Sequence, residues 1–189
     1  MAFKEGVLED GVIQLCAAIA AQEHGDARKA LDLLRVSGEI AEKEGSSKVK
    51  IEHVKKAVKK IETDYMIETV RTLPIHSKIL LYATTLLSEQ VEKFTTGELY
   101  CLYKKLCGRV GVDFLTQRRI SDLISELDML GIINSTIISK GRYGRTREIK
   151  LGTDPNSLKK VLEEDYRLQI LKKYEGDIRT LAKLRTFEP

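Results

Sequence analysis

The sequence of 189 residues predicts a mainly α-helical protein in two parts, and three observations support this. Apolar residues recur at helical spacing through most of the chain. The character of the sequence changes near Leu73 and Pro74, which indicates a boundary between residues 1–71 and 72–189. In the second part, the β-branched stretch 132–138 leads into a basic loop with two glycines, a pattern that predicts a β-hairpin.

The first part is predicted to contain three helices. One apolar face of the first helix consists of Val12, Leu15, Cys16, Ile19 and Ala20. This helix should end near His24 and Gly25. Asp26 is a good N-cap for the second helix. A third, basic helix is predicted from Ile51 to Tyr65, although Lys50 stands where Ser or Thr would cap it better.

The second helix carries two apolar stripes and is therefore expected to be buried on two sides. The first stripe consists of Ala27, Ala30, Leu31, Leu34 and Ala41, and the second of Leu33, Val36 and Ile40.

The second part begins with a predicted helix from Ile75 to Leu86. Thr95 and Glu98 form a capping box at the start of the next helix. Thr116 is the expected N-cap of a third helix, which Gly131 should end. The hairpin follows, and this order is typical of a winged helix, in which the third helix enters the major groove and the hairpin is the wing. The tail from Asn156 is expected to form one or two helices that pack on this part.

The loop of the hairpin concentrates positive charge. The stretch from Ser139 to Leu151 holds five cations and one anion, a net charge of +4 that equals that of the whole chain. Gly141 and Gly144 permit close approach of the backbone to a ligand. We therefore predict DNA contacts from Lys140, Arg142, Tyr143, Arg145 and Arg147.

Two alternatives for this loop remain open. It could be a solvated hairpin whose charges protect an edge strand from pairing. The four residues from Gly141 to Gly144 also fit the G-x-x-G loop of KH domains, which clamps single-stranded nucleic acid. The KH interpretation is disfavoured because that loop joins two helices, whereas β-branched residues precede this one.

The third helix of the second part gives a mixed signal. Its N-terminal end, where base and phosphate contacts are usually made, carries Thr116, Gln117, Arg118 and Arg119. Asp122, Glu126 and Asp128 follow, so only the first turn and a half is expected to lie near DNA. The alternative is a helix that packs on a partner protein, with Arg118 paired to Asp122.

Arg28 and Lys29 occupy the first turn of the second helix, where the helix dipole disfavours positive charge. An anion is therefore expected nearby. Asp32, four residues after Arg28, is the simpler candidate. The other candidate is a nucleotide phosphate at a domain interface.

Motifs for catalysis, metal binding and membrane insertion are missing. The sequence contains no G-x-x-x-x-G-K-[ST], G-x-S-x-G or G-x-G-x-x-G. Its three cysteines and three histidines lack ligand spacing, so we expect free thiols in a reducing cytosol and no metal site. With no signal peptide or spanning apolar run, we expect a cytoplasmic protein that acts by binding and has no membrane partner.

Two segments identify a family resemblance. AAQEHGDARKALDLLRVSGEIAEKEG (20–45), followed by KVKIEHVKKAVKKIETD, resembles the helical lid of archaeal origin-recognition and cell-division-control initiator proteins of the AAA+ class. Residues 74–151 are similar to their C-terminal winged-helix domain. The resemblance implies that Arg28 is a sensor-2 arginine that reaches ATP phosphates on a neighbouring AAA+ base. It also implies that Arg118 and Arg119 approach the major groove of origin DNA, and Arg142, Tyr143 and Arg145 its minor groove.

The resemblance implies cofactors and partners as well. Neither Walker motif is present, so the ATP-binding base is expected upstream of Met1, and this chain alone is expected to bind no cofactor and hydrolyse nothing. The full-length protein is expected to be an AAA+ ATPase that uses ATP or ADP with Mg. The expected partners are double-stranded origin DNA at the nucleoid and a replicative helicase, with the protein a monomer off DNA. Two alternatives are a module that docks a helicase through the acidic helix, and a transcription regulator that dimerises through its N-terminal helices.

Overall fold

The computed structural model describes residues 3–22, 27–139, 141 and 145–174, without the side chains of residues 173 and 174. The chain divides into two compact units, Met1–Met66 and Ile67–Pro189. Within the described ranges, no helix combines the length and the apolar character needed to cross a membrane.

The first unit is built from α1 (Val12–Gln22), α2 (Ala27–Lys43) and the first part of α3 (Ile51–Thr72). The three predicted helices are confirmed, and α3 continues past Tyr65 into the second unit. The predicted end of α1 at His24 and Gly25, and the predicted N-cap Asp26, lie outside the described residues. The core of this unit is formed by Val12, Cys16, Leu33, Val36, Ala41, Val49, Val54 and Ala57.

Helix α2 buries one of its two apolar stripes and only part of the other. Leu33 and Val36 lie in the core. The prediction that both stripes are buried is wrong at Leu31, a residue that is 67% exposed. Leu31 and Leu34 line a groove together with Phe3. Leu34 and Phe3 are partly buried and also pack against the core.

Lys50 is a weak N-cap for α3, as the sequence predicts, and a residue in the first turn of the helix compensates for it. The backbone N–H of Lys50 donates to Nδ1 of His53 at 2.9 Å, and His53 is buried. This contact is the reciprocal half of a capping box, made by a histidine instead of Glu or Gln. Nε2 of His53 lies 3.6 Å from the carboxylate of Glu44.

The second unit has the predicted order of helices and hairpin. Its elements are α4 (Ile75–Ser88), β1 (Phe94–Thr95), α5 (Thr96–Val110), α6 (Gln117–Met129), β2 (Ile133–Ser139), β3 (Arg145–Leu151) and α7 (Pro155–Leu162), followed by a 3-10 helix, Gln169–Tyr174. The strands form an antiparallel sheet in the order β1-β3-β2. The sequence did not predict β1, because two residues are too few for an alternating pattern. We refer to β2, β3 and their connecting loop as the wing.

The predicted caps of α5 and α6 are confirmed. The Thr95 hydroxyl accepts from the backbone N–H of Glu98, and the Glu98 carboxylate accepts from the backbone N–H of Thr95 at 2.7 Å. The Thr116 hydroxyl accepts from the backbone N–H of Arg119 at 3.4 Å. These local hydrogen bonds fix the residue at which α5 and α6 each begin.

Helix α4 is the centre of the second unit, because its residues from Ser77 to Leu87 are all buried. Helices α5 and α7 and strand β3 pack against it. The C-terminal segment packs on α4 through α7 and on α5 through the 3-10 helix, as the predicted return of the tail requires. The rest of the predicted tail, residues 175–189, lies outside the described residues.

An ion pair between α4 and the C-terminal segment is almost fully buried. Nζ of Lys78 lies 2.9 Å from the Asp165 carboxylate, and the two side chains are 10% and 7% exposed. The Arg167 guanidinium also donates to Asp165, at 2.8 Å. The hydrogen bonds from Arg167 and Lys78 hold the pKa of Asp165 well below its usual range.

We predict that Asp165→Asn lowers the free energy of unfolding by about 3–5 kcal/mol, because it leaves Lys78 buried without a counter-charge. The folded-state pKa of Asp165 lies below its unfolded value. The wild-type advantage should therefore be complete above about pH 4 and should shrink as the pH falls further. Urea unfolding over a pH series measures both effects.

Glu92→Gln is the matched control, because Glu92 pairs with Lys150 on the exposed surface of the same unit. It should change the free energy of unfolding by less than about 1 kcal/mol. Equal losses in the two variants would contradict a special role for the buried pair.

Candidate nucleic-acid interface

The start of α6 is held by two tyrosines of α5. The backbone N–H of Leu115 donates to the Tyr103 hydroxyl at 3.2 Å, and the Leu115 carbonyl accepts from the Tyr100 hydroxyl at 3.0 Å. The Tyr103 hydroxyl also lies 2.8 Å from Nδ1 of His76, which can accept its proton. Burial raises the pKa of Tyr103, so this hydroxyl stays protonated at neutral pH. Both polar groups of the residue before the N-cap are therefore satisfied, and α6 begins from a fixed point.

The predicted contact residues of α6 are exposed at its N-terminal end: Thr116, Gln117, Arg118 and Arg119. The Arg119 guanidinium lies 3.8 Å from Asp122 and 3.4 Å from Glu126. Asp122 is thus paired with Arg119. The protein-docking alternative predicted i,i+4 pairs such as Arg118 with Asp122, and these two described residues do not form that pair. Within the described part of the chain, Arg118 has no ion-pair partner.

The third acid of α6 contacts the wing. The Asp128 carboxylate accepts from the backbone N–H of Ser135 at 3.1 Å and from its hydroxyl at 2.9 Å. At 1.5 Å per residue, Asp128 is about 16 Å along the helix axis from Gln117. Of the three acids that the sequence places on α6, Asp128 therefore lies at the base of the wing, and Asp122 and Glu126 lie beside Arg119.

Arg147 ties β3 to α6. Its side chain is half-buried, and Nη1 donates to the Ser125 hydroxyl at 2.7 Å and to the Ser121 carbonyl at 3.3 Å. The Ser125 hydroxyl donates its own proton to the Ser121 carbonyl at 3.0 Å. A residue that the sequence predicts as a DNA contact thus also makes a structural contact within the protein.

The exposed cation nearest the wing tip in the described residues is Arg145, the first residue of β3, which lies opposite Ser139. Three predicted contacts of the tip, Lys140, Arg142 and Tyr143, lie outside the described residues. Gly141 has a φ of 61°, which only glycine adopts readily, as the predicted turn requires. Lys150, further along β3, is paired with Glu92 at 2.6 Å.

Arg28 lies exposed in the first turn of α2, a turn that contains no acidic residue. Asp32, the simpler candidate for its counter-charge, accepts from Nε and Nη2 of Arg35 at 3.1 and 2.6 Å. An exposed arginine beside a helix N-terminus suits a phosphate, since the helix dipole and the guanidinium both favour an anion there.

These features define a winged-helix protein that also carries a helical lid unit. Residues 1–59 match the family described as "Cdc6 AAA+ ATPase-type lid domain", and residues 68–161 match the family described as "CDC6, C terminal winged helix domain". The chain belongs to the Cdc6 and ORC1-type family of replication proteins.

Two archaeal relatives support the same family. The chain is 76% identical over 188 residues to the ORC1-type DNA replication protein 1 of Archaeoglobus fulgidus, a match that covers 100% of this chain and 46% of that protein. It is 61% identical to the ORC1-type DNA replication protein of Thermococcus onnurineus, covering 89% of this chain and 41% of that protein. The chain therefore spans less than half the length of these relatives.

A solved structure has the same fold. The Aeropyrum pernix ORC1 protein, in complex with DNA, superposes with a TM-score of 0.77 and 49% identity, covering 89% of this chain and 44% of that chain. The lid and winged-helix resemblance that the sequence indicates is confirmed.

We predict that Tyr103→Phe lowers the free energy of unfolding by about 1–3 kcal/mol, because it removes the acceptor of a part-buried N–H. The amide of Leu115 should then exchange with solvent deuterium faster than in the wild type. Tyr100→Phe is the matched control, since it removes the same atom from the same helix but leaves the bond to the Leu115 N–H in place. If the Leu115 amide exchanges at the wild-type rate in Tyr103→Phe, the hydrogen bond to Tyr103 does not hold the start of α6.

Proposed function

We propose that this chain binds duplex DNA at replication origins through its winged helix, as the C-terminal part of an ATP-dependent replication initiator. The observation that carries the proposal is the exposed N-terminal turn of α6 beside a cationic wing, with Arg147 and Asp128 bonding the two elements together. The name of the Archaeoglobus relative and the DNA complex of the Aeropyrum relative support it.

The placement of charge supports a division of roles. Thr116, Gln117, Arg118 and Arg119 at the start of α6 contact the major groove and its flanking phosphates. On the wing, Lys140, Arg142, Tyr143 and Arg145 contact the minor groove and its phosphates. Arg147 adds its charge from the edge of this surface while it stays bonded to α6.

The first unit supports a role in nucleotide sensing. Residues 1–71 act as the lid of an AAA+ ATPase, and residues 72–189 as the DNA-binding domain. Arg28 is the residue of this chain that would contact the phosphates of ATP or ADP, and its exposed position in the first turn of α2 fits that contact. In the longer protein, ATP bound with Mg would be the substrate that is hydrolysed.

The proposed partners follow from this assignment. Duplex origin DNA at the nucleoid is the first partner, and a replicative helicase loaded by the longer protein is the second. Off DNA, the protein is proposed to be a monomer.

We predict that Arg142→Ala combined with Arg145→Ala weakens binding to duplex DNA and lowers the salt dependence of the affinity. Each lost phosphate contact should reduce the slope of log affinity against log salt by about 0.9, so the double variant should lose about 1.8. Fluorescence anisotropy on an origin-repeat duplex and on a scrambled duplex, over a salt series, measures both quantities.

The matched control changes Lys93 and Lys150 to alanine, because both cations belong to the same sheet region but are paired with Glu148 and Glu92. This control removes the same formal charge and should leave the slope close to that of the wild type. The wing is not a DNA contact if the arginine variant binds with wild-type affinity and slope.

For the longer protein, we predict that Arg28→Ala impairs ATP hydrolysis or its coupling to changes in bound DNA, because the phosphate loses its cation from the lid. Steady-state ATP turnover and nucleotide affinity measure the effect. Arg35→Ala is the control, since Arg35 lies on the same helix and is paired with Asp32 and Glu39. Wild-type turnover and nucleotide affinity in Arg28→Ala would contradict the sensor role.

A further inference from the structure

A cleft of about 320 Å³ separates the N-terminal half of α6 from the wing. It is lined by Thr96, Gln117, Ser121, Ile137, Arg145, Thr146 and Arg147. Two of these side chains are cationic, four are neutral hydrogen-bonding groups, one is aliphatic, and none is a carboxylate. This composition suits an anion that is joined to a less polar group.

The register of the wing explains how the cations and the aliphatic residue come together. Arg145 and Arg147 are two residues apart on β3 and therefore lie on the same face of the sheet. Ile137 lies directly opposite Arg147 in the antiparallel register and shares that face. Because Arg147 bonds to Ser121 and Ser125 of α6, this is the face turned toward α6.

Arg147 forms a fixed wall of the cleft. Its Nη1 is occupied by the Ser125 hydroxyl and the Ser121 carbonyl, so the guanidinium holds one position before any ligand arrives. Arg145 is exposed and can close on an anion from the wing side. From the α6 side, Gln117 adds an amide donor close to the N-terminal N–H groups of the helix.

Ile137 is exposed to solvent, where stability of the fold would favour a polar residue over an aliphatic one. This residue is 64% exposed, although it lies within a seven-residue strand, with Ser135 and Ser139 as its neighbours on the same face. An aliphatic group next to two arginines matches the deoxyribose that accompanies every phosphate of a DNA strand. It would therefore contact DNA of any sequence.

We propose that this cleft binds one backbone unit of a DNA strand, with the phosphate between Arg145, Arg147 and Gln117 and the adjoining deoxyribose against Ile137. The inference rests on the proposed function and adds Ile137 and the cleft itself to it. The strand that passes between the helix in the major groove and the wing in the minor groove supplies this unit.

The test uses a duplex of about 20 base pairs. Its sequence is the one that the wild-type protein protects best from nuclease cleavage. Single phosphates are replaced one at a time by neutral methylphosphonates. One position should weaken wild-type binding about tenfold or more, as expected for a charge-assisted hydrogen bond. The same replacement should weaken the binding of Arg145→Gln by a clearly smaller factor, because one of the two arginines that contact that phosphate is already absent.

Lys150→Gln is the matched control, since it removes one charge from the opposite face of β3. In this variant the sensitive phosphate should weaken binding as strongly as in the wild type. Ile137→Ser should weaken binding to specific and scrambled duplexes by a similar factor, without changing the salt slope, because it removes an apolar contact and no charge. Circular dichroism and thermal unfolding check that each variant is folded.

The outcomes separate the two proposals. A phosphate whose replacement has a smaller effect in Arg145→Gln than in the wild type, and an undiminished effect in Lys150→Gln, supports the cleft. If the protein binds duplex DNA but no phosphate is coupled to Arg145, the cleft inference is overturned while the proposed function stands. If the wild-type protein binds no duplex at low salt, both are overturned.

Discussion

The proposed DNA-binding surface depends on the hydrogen bonds between Arg147 and α6. A two-stranded hairpin has little stability of its own, and its angle to the rest of a domain is set by whatever it packs against. Here the guanidinium reaches Ser121 and Ser125 on one side, and Asp128 accepts two hydrogen bonds from Ser135 nearer the base. Two points of attachment along one helix fix the tilt of the wing, so the groups on α6 and on β3 keep a constant spacing.

Contacts within this unit explain why a helix proposed to approach DNA carries three acidic residues. Three acids on a helix proposed to approach DNA would repel phosphates if they stood free at its N-terminal end. In the structure, Asp128 bonds to the base of the wing, while Asp122 and Glu126 flank Arg119. The acids thus serve contacts within the protein, and the first turn of the helix presents Gln117 and Arg118 to solvent.

Sequence patterns predicted those parts of the fold that local interactions determine. The helices follow from apolar spacing, and the Thr95 and Thr116 caps involve residues only three positions apart. Contacts between distant residues were not predictable in this way. The local spacing of Tyr100 and Tyr103 on α5 does not point to Leu115, and only the folded chain brings their hydroxyl groups there. The exposure of Leu31 and Ile137 could not be read from residue type, because an aliphatic residue in a periodic pattern normally predicts burial.

The proposed DNA contacts can be ranked by the free energy that each arginine must give up, in contacts within the protein, before it can bind a phosphate. Arg119 would exchange exposed ion pairs, each worth about 0–1 kcal/mol, for a phosphate, so the exchange is nearly neutral. Arg147 can offer a phosphate only the N–H groups that are not bonded to Ser121 and Ser125, because giving up those half-buried hydrogen bonds would cost more and would also release the wing. Arg118 and Arg145 are exposed, and neither has to break a described ion pair to meet a phosphate. Most of the electrostatic affinity should therefore come from these two residues and the basic loop, while Arg147 acts mainly by holding them in position.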